Sequence, residues 1–417
     1  MLDIKFIREN IEKIKANNKR RGCKVDVDEI VQLDDQRKKI QADIEQLRHE
    51  RNIGAQGKPT EEEKIHLREV RDKVQDLEKQ LTELENKLNE KLSWLPNILA
   101  DDVPVGMESE IIKTWGEISK FNYQPKDHVE ISQKLDLIDI ERAVKVTGKR
   151  FYFLKNEAVL LEFALIQMVL DFLIKDGFTP FITPELAKTR TLFGTGYLPW
   201  FKEDIYKVST YGENDNEDLS LIGTSEQTLV AYHTGEVIDE NKLPLKYVGF
   251  SSCFRTEAGS YGKDTRGILR VHQFDKIEQI ILTTPETSEE MHLKCLANEE
   301  WFFQQLQIPY RIVKIPDGDF GAPGYKKYDL EAWLPGQNQY REMASNTNLT
   351  SFQTRRLNIR YRKKDATLEY PHTISATGLA IGRTLIAILE NYQQEDGSVK
   401  IPEILQKYVG KTVILPR

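Results

Sequence analysis

From Leu67 onward the apolar residues fall at Leu67, Val70, Val74, Leu77, Leu81, Leu84 and Leu88. Steps of three and four return each side chain to one narrow stripe of a helix, and such a stripe is buried against a second helix. Upstream, Ile30, Leu33, Ile40, Ile44 and Leu47 keep the same rhythm, with Arg37 in one slot. Between the two runs lies Ile53-Gly-Ala-Gln-Gly-Lys-Pro-Thr60, a loop of helix breakers. Thr60 followed by Glu63 is a capping box that opens the second helix. The pattern predicts two helices of roughly 25–30 residues folded back as an antiparallel hairpin, each reaching roughly 40–45 Å. The hairpin spans about residues 28–92 and has no core beyond its seam. A dimerisation coil is the alternative, but the short loop favours pairing within one chain. The hairpin's cations, including Arg37, Lys38, Lys39, Arg48, Arg51, Lys64, Arg68 and Arg71, are mixed with acids. They read as a solvated helix surface of which a subset can grip phosphates.

Trp94-Leu-Pro-Asn-Ile-Leu-Ala-Asp-Asp-Val-Pro-Val-Gly106 reads as a linker, dividing the chain into 1–106 and 107–417. A length of 417 residues allows two or three domains. The balance of 59 basic against 66 acidic residues, net −7, excludes a protein that coats nucleic acid with overall positive charge, though not a local basic strip. Cys23, Cys253 and Cys295 form neither a disulfide framework nor a zinc spacing. The N-terminus has no signal-peptide pattern and no apolar run is long enough to span a bilayer, so a cytoplasmic protein without a membrane partner is expected.

Beyond the linker the pattern becomes α+β. A helix is expected over Asn156–Asp176, an extended segment over Gly177–Pro184 and a helix over about Gly378–Gln394. Strands clustered between helices, with no strict βαβ rhythm, suggest an antiparallel sheet flanked by helices. There is no Walker sequence and no Rossmann glycine fingerprint, so any nucleotide is held by another device.

Residues 247–274 read as two strands joined by a polar loop from Ala258 to Arg266. Alternation places Arg255 and Glu257 on one face at the end of the first strand, and Arg270 and Phe274 on one face of the return strand. A guanidinium, a carboxylate and a flat ring on a rigid sheet suit the phosphate, the amino edge and the face of a purine nucleotide. In Tyr340–Asn348, Glu342 and Ser345 are oxygen donors three apart in a polar turn, suited to Mg²⁺ carried on phosphates or simply to a surface turn. In Ile374–Arg383, small residues run into a helix bearing Arg383, either for close packing or for reaching a terminal phosphate. Thr224, Ser225 and Glu226, with Glu278, offer hydroxyls and carboxylates to a small ammonium-bearing substrate. Arg355–Lys364 is strongly basic, either a nucleic-acid contact or a strand with one cationic face.

Together these stretches resemble the class II aminoacyl-tRNA synthetases, and within them the bacterial-type seryl-tRNA synthetases, over essentially the whole chain. Gly177–Pro184 is similar to the family's first motif, Phe254–Glu257 with Arg270–Phe274 to the second, and Gly378–Arg383 to the third. Phe193-Gly-Thr-Gly-Tyr-Leu-Pro199, Thr224-Ser-Glu226, Tyr328–Pro335, Phe352-Gln-Thr-Arg-Arg356 and Glu390–Gln394 match seryl signatures. The chain departs from the family's Glu-x-Ser-Ser-Cys-Ser-Asn with Glu342-Met-Ala-Ser-Asn-Thr-Asn348. It departs from Thr-Leu-Asn-Gly-Ser-Gly with Thr373-Ile-Ser-Ala-Thr-Gly378, where Ser375 stands in place of an asparagine.

The resemblance implies a class II antiparallel-sheet catalytic domain with an N-terminal arm that lies along tRNA, a homodimer, and the substrates L-serine, ATP with Mg²⁺, and tRNA(Ser), tRNA(Sec) being left open. It implies catalytic roles for Arg255 and Arg383. The implied ATP site comprises Arg255, Thr256, Glu257, Arg270, Val271, His272, Gln273, Phe274, Glu342, Met343, Ala344, Ser345 and Arg383. The implied serine site comprises Thr224, Ser225, Glu226, Arg255, Glu278 and Thr377. Glu342 and Ser345 are the implied metal ligands. Two other readings stay open on sequence: a paralogue that loads a carrier protein, and a non-catalytic scaffold that keeps the fold.

Overall fold

The computed structural model describes residues 1–54, 60–209, 218–258 and 266–417. Most of the breaker loop after Ile53, and most of the polar loop expected from Ala258 to Arg266, lie outside the described residues. The chain divides into two units, Met1–Ile98 and Leu99–Arg417.

In the first unit, helices α1 (Ile4–Glu9) and α2 (Ile11–Arg20) precede the long pair α3 (Val27–Gly54) and α4 (Glu61–Ser93). The seam is the one the periodicity marks. Val70, Val74, Leu84 and Leu88 of α4 and Ile30 and Ile44 of α3 are buried, while Leu67, Leu77 and Leu81 are half-buried because two helices cannot enclose them. The capping box is complete: Thr60 Oγ1 accepts from the Glu63 amide at 3.3 Å, and Glu63 Oε2 accepts from the Thr60 amide at 2.6 Å. At the root, Ile7, Ile14, Val27, Ile30, Leu88, Leu92, Leu95 and Ile98 form a compact cluster.

Asp34, fully buried beside this root, is the unit's ionic anchor. Its carboxylate accepts from Arg8 Nε at 2.8 Å and Arg37 Nη2 at 2.8 Å, and Lys38 Nζ lies 3.0 Å away. Burial alone would push this acid up, but Arg37, Lys38 and Arg8 outweigh it and hold it at about 2. Because the folded value lies below the ordinary 3.8, the stability it contributes is complete above that value and drains away as pH falls through about 2. Asp34→Asn is therefore expected to destabilise this unit by about 1–3 kcal/mol at pH 7. The deficit should shrink as pH falls from about 4 toward 2; equal denaturation midpoints at pH 7 would contradict the anchor.

The boundary falls at Ile98, ahead of Gly106, because Leu99, Ala100 and Val103 pack with Phe320 and Tyr325. The second half of the proline-bearing linker thus belongs to the second unit.

The second unit is built on an eight-stranded sheet. Its strands are β1 (Glu110–Trp115), β2 (Thr179–Ile182), β3 (Leu245–Phe254), β4 (Gln273–Thr283), β5 (Tyr310–Lys314), β6 (Lys326–Leu334), β7 (Gln339–Thr350) and β8 (His372–Ala380). Their spatial order is β1-β5-β6-β7-β8-β4-β3-β2, and all neighbours are antiparallel except β2, which runs parallel to β3. Three helices, α5 (Glu157–Lys175), α6 (Ser288–Gln305) and α7 (Ile381–Asn391), bury apolar faces in the same core as the sheet. Asn298 Nδ2 of α6 donates to Gln279 at 2.8 Å, and Asn346 Nδ2 donates to the His292 carbonyl at 2.9 Å. Gln279 and Asn346 therefore point toward α6.

Three local expectations are corrected. Tyr340–Asn348 is no turn but the body of β7. The helix expected from Gly378 begins at Ile381 and ends at Asn391, because Gly378 and Leu379 still belong to β8. The basic run is not one strand: Phe352–Arg356 is a short helix and Arg360–Arg362 a separate strand. Arg356 lies over the rings of Phe193 and Phe352, at 4.9 and 4.5 Å, and donates to the Phe193 carbonyl at 2.9 Å. That guanidinium cements the fold. Among the described residues no helix is long and apolar enough to cross a membrane, and all three cysteines are free, Cys253 and Cys295 being buried.

Candidate active site

Two bulges decide which side chains meet over the sheet. Between β6 and β7, Leu330 opposes Ala344 while Glu331 opposes Glu342, so Met343 is the extra residue. Side chains three apart in a regular strand point to opposite faces. The extra residue brings Glu342 and Ser345 to one side, and both line a cavity of about 580 Å³. Between β4 and β8, Ile277 opposes Leu379 while Glu278 opposes Thr377, leaving Gly378 extra. A Cβ there would meet Ile277 Cγ2 at 2.9 Å, so the bulge needs glycine.

The same cavity is lined by Arg255, Glu257, Arg270, Val271, Phe274, Glu226, Glu278, Met343, Thr377 and Arg383. Arg255 and Glu257 do not arrive by strand alternation. Ladder pairing stops at Phe254–Gln273, the Arg255 amide still donates to the His272 carbonyl at 2.9 Å, and Glu257 then takes φ 53°. A left-handed residue cannot continue an extended strand. Arg270 likewise precedes β4 and is ion-paired with Glu257.

Six expected residues do not line the cavity. Thr224 and Ser225 are buried in their turn, Thr224 Oγ1 accepting from the Glu226 amide at 3.3 Å and Ser225 Oγ donating to the Gly249 carbonyl at 3.4 Å. Thr256 donates to the Glu203 carbonyl, and His272 Nδ1 lies 2.9 Å from the Arg255 carbonyl. Gln273 lines a smaller cleft with Phe151 and Glu162, and Ala344 is in the core. Strand parity sends Gln273 and Ala344 away from the cavity, and the other four lie in connecting segments whose own hydrogen bonds turn them aside.

The cavity is strongly charged. Arg255 lies over the Phe274 ring at 5.1 Å and donates from Nε and Nη2 to the Gly223 carbonyl at 3.3 and 3.2 Å. Arg383 Nη1 donates to the Glu342 carbonyl at 2.9 Å and lies 3.2 Å from its carboxylate. Burial would raise Glu342, but Arg383, Lys327 and Arg255 prevail and keep it below the usual range, so it is ionised. Nearby Asp329, 3.2 Å from Lys327, is pushed up to about 7, by burial first and by Glu342 against the pull of Lys327.

A hydroxyl bridges two buried acids in the same cavity. Ser375 Oγ lies 2.9 Å from Glu226 Oε2 and 2.9 Å from Glu278 Oε1. Tyr197 donates to Glu226 at 3.0 Å and Gln353 Nε2 at 2.7 Å, while Lys276 pairs with Glu278. Burial, then the charge of Glu278, pushes the Glu226 carboxyl up.

Sequence reasoning assigned no role to Tyr197, Lys276, Lys327 or Gln353. The two lysines carried a usable signal: each stands two residues before an acid on a strand, Glu278 and Asp329, which places cation and acid on one face. Among the described residues no three His, Cys, Asp or Glu side chains are placed to hold a metal ion. Ionised Glu342 and the Ser345 hydroxyl fit a different donor set, that of a magnesium ion that takes few protein oxygens and keeps phosphate and water for the rest.

The profile of the class II tRNA synthetase core domain (G, H, P, S and T) matches residues 206–392, and that of the seryl-tRNA synthetase N-terminal domain matches residues 1–99. The chain is 48% identical to the serine–tRNA ligase of Dictyoglomus turgidum, with 100% of both chains covered. It is 44% identical to that of Treponema denticola, covering 98% of this chain and 99% of the other. Among solved structures, seryl-tRNA synthetase from Pyrococcus horikoshii complexed with ATP superposes with a TM-score of 0.93 at 43% identity, covering 100% of each chain. Cytoplasmic serine–tRNA ligase from Naegleria fowleri in complex with AMP gives 0.89 at 35% identity, covering 100% of this chain and 99% of that one. Agreement at this identity over the full length, in both the helical arm and the class II core, leaves one assignment: the chain belongs to the seryl-tRNA synthetase family.

Proposed function

We propose that the chain works as a serine–tRNA ligase in two steps at this one cavity. L-Serine and ATP give seryl-adenylate and pyrophosphate, and the seryl group then passes to the terminal ribose of tRNA(Ser). The observation that carries the reading is that Arg255, Phe274, Glu342 and Arg383 line the same cavity as the Ser375-bridged acids.

The first step needs no protein nucleophile, because the serine carboxylate attacks the α-phosphate and pyrophosphate leaves. The protein supplies position and charge. Arg255 bridges the serine carboxylate and the α-phosphate as charge moves toward the leaving group. Phe274 stacks on adenine, Glu257 takes its amino group, and Arg383 covers the opposite face and the terminal phosphate. Glu342 and Ser345 hold Mg²⁺, which neutralises phosphate charge when it is bound with ATP. Glu226 and Glu278 receive the serine ammonium and Thr377 the hydroxyl, with Thr224 and Ser225 setting the turn. An alanine substrate leaves the hydroxyl's partner unpaired, a deficit worth roughly 10⁴–10⁵-fold in discrimination.

The arm of α3 and α4 is proposed to lie along tRNA in the cytoplasm. A homodimer is proposed through β2 and α5, supported by the exposure of Ile182 at the sheet edge and of Phe163 and Leu160 on the helix.

Serine-dependent pyrophosphate exchange, followed by charging of total tRNA, tests the reading. Both activities are expected. Exchange without charging points to carrier-protein loading, and neither activity points to a scaffold. Charging of purified tRNA(Sec) transcripts decides whether that tRNA is also a substrate. Raising salt should weaken tRNA binding steeply as phosphate contacts are screened.

A further inference from the structure

We infer that serine binding expels one proton from the protein, and that Ser375 is the positioning residue that makes it do so. The inference rests on the assignment of this cavity as the serine site.

Ser375 Oγ makes two contacts of 2.9 Å, one to Glu226 Oε2 and one to Glu278 Oε1. An ionised carboxylate only accepts, and a serine hydroxyl carries one proton. Two hydrogen bonds need two protons, so the second must sit on a carboxyl, which donates to Ser375 while Ser375 donates to the other acid. The other nearby donors are already committed: Tyr197 and Gln353 to Glu226, and Lys276 to Glu278.

Repulsion between the two acids points the same way. The ionisable groups facing the pair are Tyr197 from the loop after the helix Thr189–Gly194, Lys276 beside Glu278 on β4, Cys253 on β3 and Arg255 just after it, and Cys295 and Glu299 from α6. Burial pushes the Tyr197 phenol, the Cys253 and Cys295 thiols and the Glu299 carboxyl up. Two buried carboxylates this close repel, and one proton on the pair removes that repulsion. Burial also pushes the Glu226 carboxyl up, consistent with its holding that proton.

The serine ammonium brings one positive charge and three N–H donors. Once it occupies the pair, the carboxylic O–H bond breaks, its electron pair stays on the carboxylate, and the proton passes to buffer. Asparagine at 375, as in the family pattern, offers two N–H donors from one amide and can bond both carboxylates without the extra proton.

Calorimetric titration of serine into the full-length protein at pH 7, in buffers of different ionisation enthalpy, reads the proton count directly. About one proton released per serine is expected, with the serine Kd rising as pH falls. Ser375→Asn should bring the release close to zero. Saturable serine binding by the unaltered protein with no proton release overturns the inference, whatever the variant does. Unchanged release in a folded, serine-binding Ser375→Asn protein overturns the role of Ser375. Absence of saturable serine binding overturns the site assignment and the inference with it.

Discussion

Arg255→Ala is expected to lower serine-dependent pyrophosphate exchange by about 10³-fold, roughly 4 kcal/mol of transition-state stabilisation, while the protein stays folded. No other residue in the cavity is proposed for the same task. Activation drives a carboxylate onto a phosphate that is already negative, and a guanidinium in contact with both lowers the repulsion most where bonds are changing. Arg255 is held for that task by the Gly223 carbonyl and the Phe274 ring. Both holds are local, and Glu342 keeps Arg383 and Lys327 as counter-charges, so the far-ultraviolet spectrum and melting profile should be preserved. Arg255→Lys keeps the charge but loses the planar fork, and should fall between the two. Near-normal exchange by a folded Arg255→Ala protein would remove Arg255 from the reaction.

Shortening the arm should separate the two half-reactions. Cutting the whole of residues 28–92 would also remove Ile30, Leu88 and Leu92 from the root cluster and strip Ile7, Ile14, Val27, Leu95 and Ile98 of those partners. A cleaner cut joins Ile40 to Leu81 by a short glycine bridge, since cross-helix pairs such as Arg48–Glu78 and Lys91–Glu29 place these two positions near each other. Pyrophosphate exchange should stay within about twofold, because the second unit carries its own core. Charging at limiting tRNA should fall by about 10²-fold or more as phosphate contacts along the arm are lost. Undiminished charging would mean that the arm serves something other than tRNA.

The parts legible in sequence are those written as period or punctuation. The seam from Leu67 to Leu88 shows as a repeat, and Thr60 with Glu63 shows as a cap. Asp34 did not show, because a single acid on a charged helix looks like surface; its partner Arg8 lies in another helix. The bulges at Met343 and Gly378 did not show either. A register shift arises between strands and leaves no mark on the letters of one of them, so Tyr340–Asn348 read as a turn and Gly378 as a helix start. For the same reason the site emerged from sequence as stretches rather than faces. The Thr224–Glu226 turn was singled out as a segment, yet Glu226 alone of its side chains lines the cavity. Ser375 stood out as a departure from the family pattern. Its bridging of two acids was not readable, since Glu226 and Glu278 come from a distant helix start and a neighbouring strand.

The anchor at Asp34 bears on aim as well as on melting. From Asp34 to Gly54 the helix runs roughly 30 Å, so a rotation of about 10° at the anchor would swing the tip sideways by about 5 Å. That displacement is comparable to the spacing of phosphates along a nucleic-acid strand. Loosening the three cations around this one carboxylate would therefore blur the proposed contact of the arm with RNA well before it unfolded anything.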